Sequence, residues 1–165
     1  MKVAEGAIGL REGTPDDHVS VQVVNLAAFE QIHESFSRIL GPEINTLAYP
    51  DWRASQQREV SELLIRRDTR LAVADIENQI VGFVIVELNS ETLVGELQII
   101  AVHPDFRRQG IGARLNDRAL SVMRDAGMRL ANLATGGDEA HAAARRSYER
   151  AGYVALPLVR YYKPL

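Results

Sequence analysis

Cysteine is absent from the 165 residues, so disulfides, thiolate zinc sites and any enzyme-bound thioester are excluded. Any acyl chemistry must therefore pass directly between donor and acceptor. No apolar run approaches the roughly 18 residues that a membrane span needs, and Met1 to Gly6 offers no apolar segment of signal-peptide length. A cytoplasmic protein without a membrane partner is expected. Positive charge is not in excess either: 19 Lys and Arg against 22 Asp and Glu leave a net charge of −3. That balance does not suit the phosphates of a nucleic-acid backbone, and nucleic acid is not an expected partner. Internal repeats, low-complexity tracts and linkers are missing as well.

What is present is an ordinary globular balance, 46% hydrophobic and 25% charged. A chain of this length suits one domain, burying roughly 70% of the surface its unfolded form exposes. Thr14 with Asp17 three residues on resembles a capping box, and Val19, Val23, Leu26, Ile32, Phe36 and Ile39 recur at near-helical spacing. A helix is expected from about Pro15 to Leu40, stopped by Gly41-Pro42. After a loop holding Tyr49 and Pro50, a second helix runs from about Trp52 to Arg67, capped by Asp51.

From Arg70 the pattern turns to β. Leu71 to Ile76 and Ile80 to Leu88 read as a hairpin, and Asn89-Ser90-Glu91 turns the chain into a third strand from Thr92 to Val102. Ile111, Leu115, Ala119, Val122 and Met123 then share a helix face that ends near Gly127. A strand from Met128 to Thr135, a helix from about Asp138 to Ala151 and a terminal strand region from Tyr153 to Tyr162 complete the order βααβββαβαβ. The expected fold is one α+β domain, a three-layer α/β arrangement with a mixed, mostly antiparallel sheet and about four helices.

The informative segment joins the Glu96-to-Val102 strand to the next helix. There the chain reads Val102-His103-Pro104-Asp105-Phe106-Arg107-Arg108-Gln109-Gly110-Ile111-Gly112. The first amides of a helix lack intrahelical acceptors and carry partial positive charge, so they suit a pyrophosphate. Gly110 and Gly112 permit close approach, while Arg107 and Arg108 add charge that favours a polyanion.

This run resembles the GNAT N-acetyltransferase superfamily, whose signature is Arg/Gln-x-x-Gly-x-Gly/Ala after a strand ending in Val-x-Pro. A second resemblance lies in the last helix. The family commonly shows Asn-x-x-Ala-x-x-x-Tyr-x-x-x-Gly-Phe there, and this chain runs from His141 through Ala144, Tyr148 and Gly152 to Tyr153. His141 replaces Asn and Tyr153 replaces Phe. The resemblance implies a GNAT-like domain that takes acetyl-CoA as acyl donor. Its pyrophosphate would lie on Arg107, Arg108, Gln109, Gly110, Ile111 and Gly112, its pantetheine on the strand backbone of Ile100, Ala101 and Val102, with His141 at a further cofactor contact.

An amine acceptor must lose a proton before it attacks a thioester, so a base is needed. Glu96 is the candidate, on the strand that by resemblance faces the acetyl group. Strand alternation puts Glu96, Gln98 and Ile100 on one side unless a bulge intervenes. Gln98 can instead position a water. Tyr148 matches the family's general acid for the departing thiolate, and residues 141 and 148 share a helical stripe. Phe36, Tyr49 and Trp52 are candidates for an acceptor pocket, although aromatic residues at such spacing also form core.

The histidines lack metal-like partners, and no metal is expected. Gly136-Gly137-Asp138 reads as the turn and cap before the last helix. The expected acceptor is a small-molecule amine, with a protein amine and a non-catalytic acyl-CoA sensor as the alternatives. Glu96 and Tyr148 together favour the enzyme, since a sensor needs neither. Val159 to Leu165, with Tyr161 and Tyr162, can complete either the acceptor site or a homodimer interface.

Overall fold

The computed structural model describes residues 8–165. Strand β1 (Ile8–Glu12) leads through a 3-10 turn (Pro15–Asp17) into α1 (His18–Ala48) and α2 (Trp52–Ile65). Strands β2 (Thr69–Ile76), β3 (Gln79–Asn89) and β4 (Val94–Val102) follow, then α3 (Ile111–Asp125), β5 (Leu130–Leu133) and α4 (Ala142–Arg150). The sheet order is β1-β2-β3-β4-β5. Its first three pairings are antiparallel and the β4–β5 pairing is parallel, giving one open, five-stranded mixed sheet flanked by four helices.

Local chemistry accounts for most boundaries. Thr14 and Asp17 form the capping box: the Thr14 amide donates to Asp17 Oδ2 at 2.8 Å, and Arg11 clamps both carboxylate oxygens at 2.7 Å. Asp51 caps α2 by accepting from the Ala54 amide at 3.0 Å. Glu77 and Asn78, both at positive φ, make the two-residue turn of the β2–β3 hairpin. The Asn89 side chain accepts from the amides of Glu91 and Thr92 to shape the next turn.

Two cores lie on opposite faces of the sheet. On one face Ile111, Leu115, Ala119 and Met123 of α3 meet Ala72, Ala74, Val84, Val86 and Leu97. Their spacing of four keeps them on one side of the helix, and each large side chain withdrawn from water contributes roughly 1.5–3 kcal/mol. On the other face Val21, Val24 and Ala28 of α1 and Val60 and Leu63 of α2 meet Val73, Phe83, Ile85, Ile99 and Ala101.

Three expectations need correction. The segment after Gly41 is not a loop. Gly41 takes φ 74° and ψ 168°, which breaks α1, and Pro42 starts a further helical stretch that ends at Ala48; proline suits a first helical turn, where its missing N–H has no acceptor to satisfy. The expected terminal strand at Tyr153 to Tyr162 does not form: the chain there is irregular, and Val154, Leu156 and Leu158 are exposed. Finally, Glu96, Gln98 and Ile100 do not share a face. Ile85 pairs with Ile99 while Val86 pairs with Leu97, so Gln98 is an extra residue in β4. Leu97 packs toward α3 but Ile99 toward α1, and Ile100 is turned back to the α3 side.

Candidate functional site

Pairing between β4 and β5 stops at Leu97 opposite Leu133. Ile99 to Val102 continue against β3, but β5 no longer accompanies them on the other edge. The bulge at Gln98 starts where the two strands part. An edge of this kind presents backbone N–H and C=O groups to an extended ligand.

That edge runs straight into the start of α3. Arg108 and Gly110 both adopt positive φ, 61° and 79°, a requirement that glycine meets at Gly110 without cost. The first bond back into the helix is from the Arg114 amide to the Gly110 carbonyl, at 3.1 Å. The amides of Ile111, Gly112 and Ala113 precede it, the cap residue Gly110 brings no side chain to them, and the first turn holds no acid. A Cβ on Gly110 would meet nothing within 4 Å, and one on Gly112 only Val102 Cγ2 at 3.9 Å. An uncapped, open, acid-free helix start beside a free strand edge fits a ligand with a diphosphate at one end and an amide-bearing arm at the other.

Arg107 is placed differently from its neighbours. Its guanidinium donates to Gln31 Oε1 at 2.7 Å and to the Ala28 carbonyl at 2.9 Å, fastening α1 over the site. Burial lowers its pKa. Arg108 is exposed at the turn.

Glu96 stands before the bulge, directly opposite Glu87 on β3. Like charges facing one another across a sheet repel, and Glu87 is compensated from two sides: Arg66 reaches it at 2.8 Å and Gln98 Nε2 donates to it at 2.8 Å. Gln98 is thereby held at the sheet.

Those aromatic candidates do come together. Phe36 stacks on Tyr49 at 5.6 Å between centroids, and His33 stacks on Trp52 at 4.3 Å while meeting Phe36 and Tyr49 edge-on. Tyr162 from the C-terminal segment shares a hydrogen bond with the Tyr49 hydroxyl at 3.0 Å. His33, which the sequence did not single out, has a buried Nδ1 without a hydrogen-bond partner; burial, and then the nearby Arg53 charge, lower its pKa.

On α4, Tyr148 is 8% exposed, with its ring edge-on to Tyr153 at 5.8 Å. The Tyr153 hydroxyl in turn donates to Asn116 of α3 at 3.3 Å, which ties this end of α4 to the helix that starts the cradle. Burial first, and the neighbouring Tyr153 second, push the Tyr148 hydroxyl up to about 12. It is a proton donor throughout the neutral range. His141 turns elsewhere: its Nδ1 meets Asp138 Oδ1 at 2.5 Å and its ring stacks on Phe36 at 6.0 Å. Ser35 of α1 donates to the other Asp138 oxygen at 2.6 Å. The sequence showed Asp138 only as a cap, and its three-residue spacing from His141 was the available signal.

The acetyltransferase (GNAT) family model matches residues 29–153. An uncharacterized N-acetyltransferase of Archaeoglobus fulgidus is 33% identical over an alignment of 95 residues that covers 52% of this chain and 65% of that relative, just under two thirds of its length. The fold is shared with the ribosomal-protein-S18-alanine N-acetyltransferase of Escherichia coli, at TM-score 0.71 and 17% identity over 96% of this chain and 84% of the other. It is shared too with an aminoglycoside acetyltransferase from an uncultured soil metagenomic sample, at TM-score 0.65 and 19% identity over 98% of both chains. With the family's pattern running from α1 to Tyr153, the parted strands and the cradle included, this chain belongs to the GNAT acetyltransferase family.

Proposed function

We propose that this protein moves an acetyl group from acetyl-CoA to a primary amine by direct attack, and that the amine is carried on a small molecule. The observation that carries the reading is the junction of the free β4 edge beyond Leu97 with the uncapped start of α3. The two together suit the amide-bearing arm and the diphosphate of one cofactor. In this reading Ile100, Ala101 and Val102 offer their backbone to the arm. The turn from Arg107 to Gly112 receives the diphosphate, with Arg108 supplying exposed charge and Arg107 holding α1 in place.

Acetyl-CoA supplies the activated thioester, and the protein handles protons at both ends of the transfer. An ammonium gives up one proton to become a nucleophile and a second when the amide forms, while the departing thiolate takes one up. Glu96 is the carboxylate that draws the first proton, directly or through a water held by Gln98. Tyr148 serves the sulfur. A thiol ionises near 8.5, so complete transfer from a hydroxyl at about 12 is uphill by roughly 5 kcal/mol. Tyr148 therefore acts chiefly by donating a hydrogen bond to the developing thiolate.

Fold neighbours named for an aminoglycoside and for a ribosomal-protein alanine show how widely acceptors vary on this architecture. The aromatic cluster of Phe36, Tyr49 and Trp52 favours a small acceptor with an apolar body in this chain. The test is amine-dependent release of free CoA thiol, preceded by thermal unfolding with acetyl-CoA. Cofactor at about 100 times its Kd stabilises by about 2.7 kcal/mol. No rise in the unfolding midpoint at millimolar acetyl-CoA would overturn the reading.

A further inference from the structure

One buried polar chain is not used by the mechanism above. Ser35 on α1, Asp138 in the loop after β5 and His141 at the start of α4 are joined by hydrogen bonds of 2.6 and 2.5 Å. Ser35 is 4% exposed, and the side chains of Asp138 and His141 are 8% and 15% exposed. The loop itself is clamped: Arg145 donates to the carbonyls of Gly136 and Asp138. Gly136 lies so close under the His141 ring that any Cβ there would collide with it. A helix cap alone asks for none of this, since an Asp can cap a helix from the surface.

Position gives the chain its meaning. Strand β5 ends at Leu133, where β4 becomes free, and the loop that follows carries Asp138 and His141 back against α1. His141 touches Phe36 of the aromatic cluster. Asp138 is kept ionised: burial alone would raise its pKa, but the hydrogen bonds from Ser35 and His141 outweigh burial and bring it below the usual carboxylate range. A carboxylate on Nδ1 fixes the imidazole with its proton on that nitrogen, so Nε2 carries the lone pair.

We propose that His141 is a catalytic base, oriented by Asp138 and Ser35, whose Nε2 takes the second proton shed by the acceptor nitrogen as the amide forms. The inference rests on the transferase reading and completes its proton balance. Glu96 takes the first proton and His141 the second, the C–N bond forms as the C–S bond breaks, the thiolate recovers one proton, and one is released to solvent per turnover. The charged and titratable groups around the imidazole are Asp138 on Nδ1, Arg145 behind the loop carbonyls and, across Phe36, His33.

The experiment compares the wild type with His141→Asn and Asp138→Asn in thiol-release kinetics across pH, alongside acetyl-CoA affinity and unfolding midpoint. Asn at 141 retains a donor for Asp138. His141→Asn is expected to lower kcat by about a hundredfold or more, while the unfolding midpoint stays near wild type. Added imidazole should restore part of the rate. Asp138→Asn should reproduce most of the loss in kcat with KM for acetyl-CoA retained. If His141→Asn keeps kcat, or loses cofactor affinity with kcat unchanged, the assignment is overturned while the transferase reading stands. A wild type that binds acetyl-CoA but releases no thiol with any amine overturns both.

Discussion

Tyr148 and Arg107 differ in how readily a side chain's fate can be read from its neighbours in sequence. Tyr148 is fixed by its own helix: burial against Tyr153 and a hydroxyl raised to about 12 follow from its place on the inner face of α4. Removing the hydroxyl should therefore cost rate rather than structure. Tyr148→Phe is expected to lower kcat by ten- to a thousandfold with the acetyl-CoA dissociation constant changed less than threefold; equal turnover in stopped-time thiol assays would remove Tyr148 from the mechanism. Arg107 lies in the motif, yet its guanidinium travels to Gln31 and Ala28 on α1. An arginine is long enough to choose among acceptors that only the fold brings near, and nothing local announces which it takes. The same holds for Asp138, legible as a cap but not as the partner of Ser35, which lies 103 residues away.

At the scale of elements, the start of α3 was the most legible part of the molecule, because Gly110 and Gly112 stand between a strand ending in Val102-His103-Pro104 and an amphipathic helix. The geometry separates their roles. Gly110 needs its positive φ, whereas a side chain at Gly112 meets only Val102 at 3.9 Å. Gly112→Leu should leave the unfolding midpoint of the free protein at or slightly above wild type, since leucine outranks glycine in helices by nearly 1 kcal/mol. The same substitution should weaken acetyl-CoA binding at least tenfold in calorimetry.

The entry into α1 makes a prediction about acid. Asp17 accepts from Arg11 and Thr14, and these bonds hold its carboxyl far below the usual carboxylate range. A group depressed in the folded state stabilises above its unfolded pKa, near 4, and the contribution is lost as pH falls below that value. Asp17→Asn should cost about 1.5–3 kcal/mol at pH 7, and its unfolding midpoint should fall less steeply than that of wild type between pH 5 and 3. Parallel curves would show that the clamp contributes nothing net. The break in α1 was half legible: Gly41-Pro42 correctly marks a stop, but proline equally suits a first helical turn, and only packing shows that a helix resumes.

Across the whole molecule, periodicity carried the order of elements from α1 to α4, because helices that bury one face and strands that bury one or both leave different patterns. It failed at the C-terminus. Val154, Leu156 and Leu158 alternate as a strand does, yet they remain exposed and unpaired with β5. Alternation shows that a segment has a face to bury, not that an edge is waiting for it. The position of the bulge in β4 was illegible for a related reason: Gln98 looks like any polar strand residue, and its status as an extra one exists only relative to β3. A deletion distinguishes it from its neighbours. Loss of Ile99 or Leu97 would put polar Gln98 into an apolar core position, but loss of Gln98 leaves Leu97 facing α3 and Ile99 facing α1 as they do now. The shortened chain should keep most of its thermal stability while β5 zips further along β4 and acetyl-CoA binding disappears. A single codon would then mark the boundary between a sheet that merely folds and one that is held ajar.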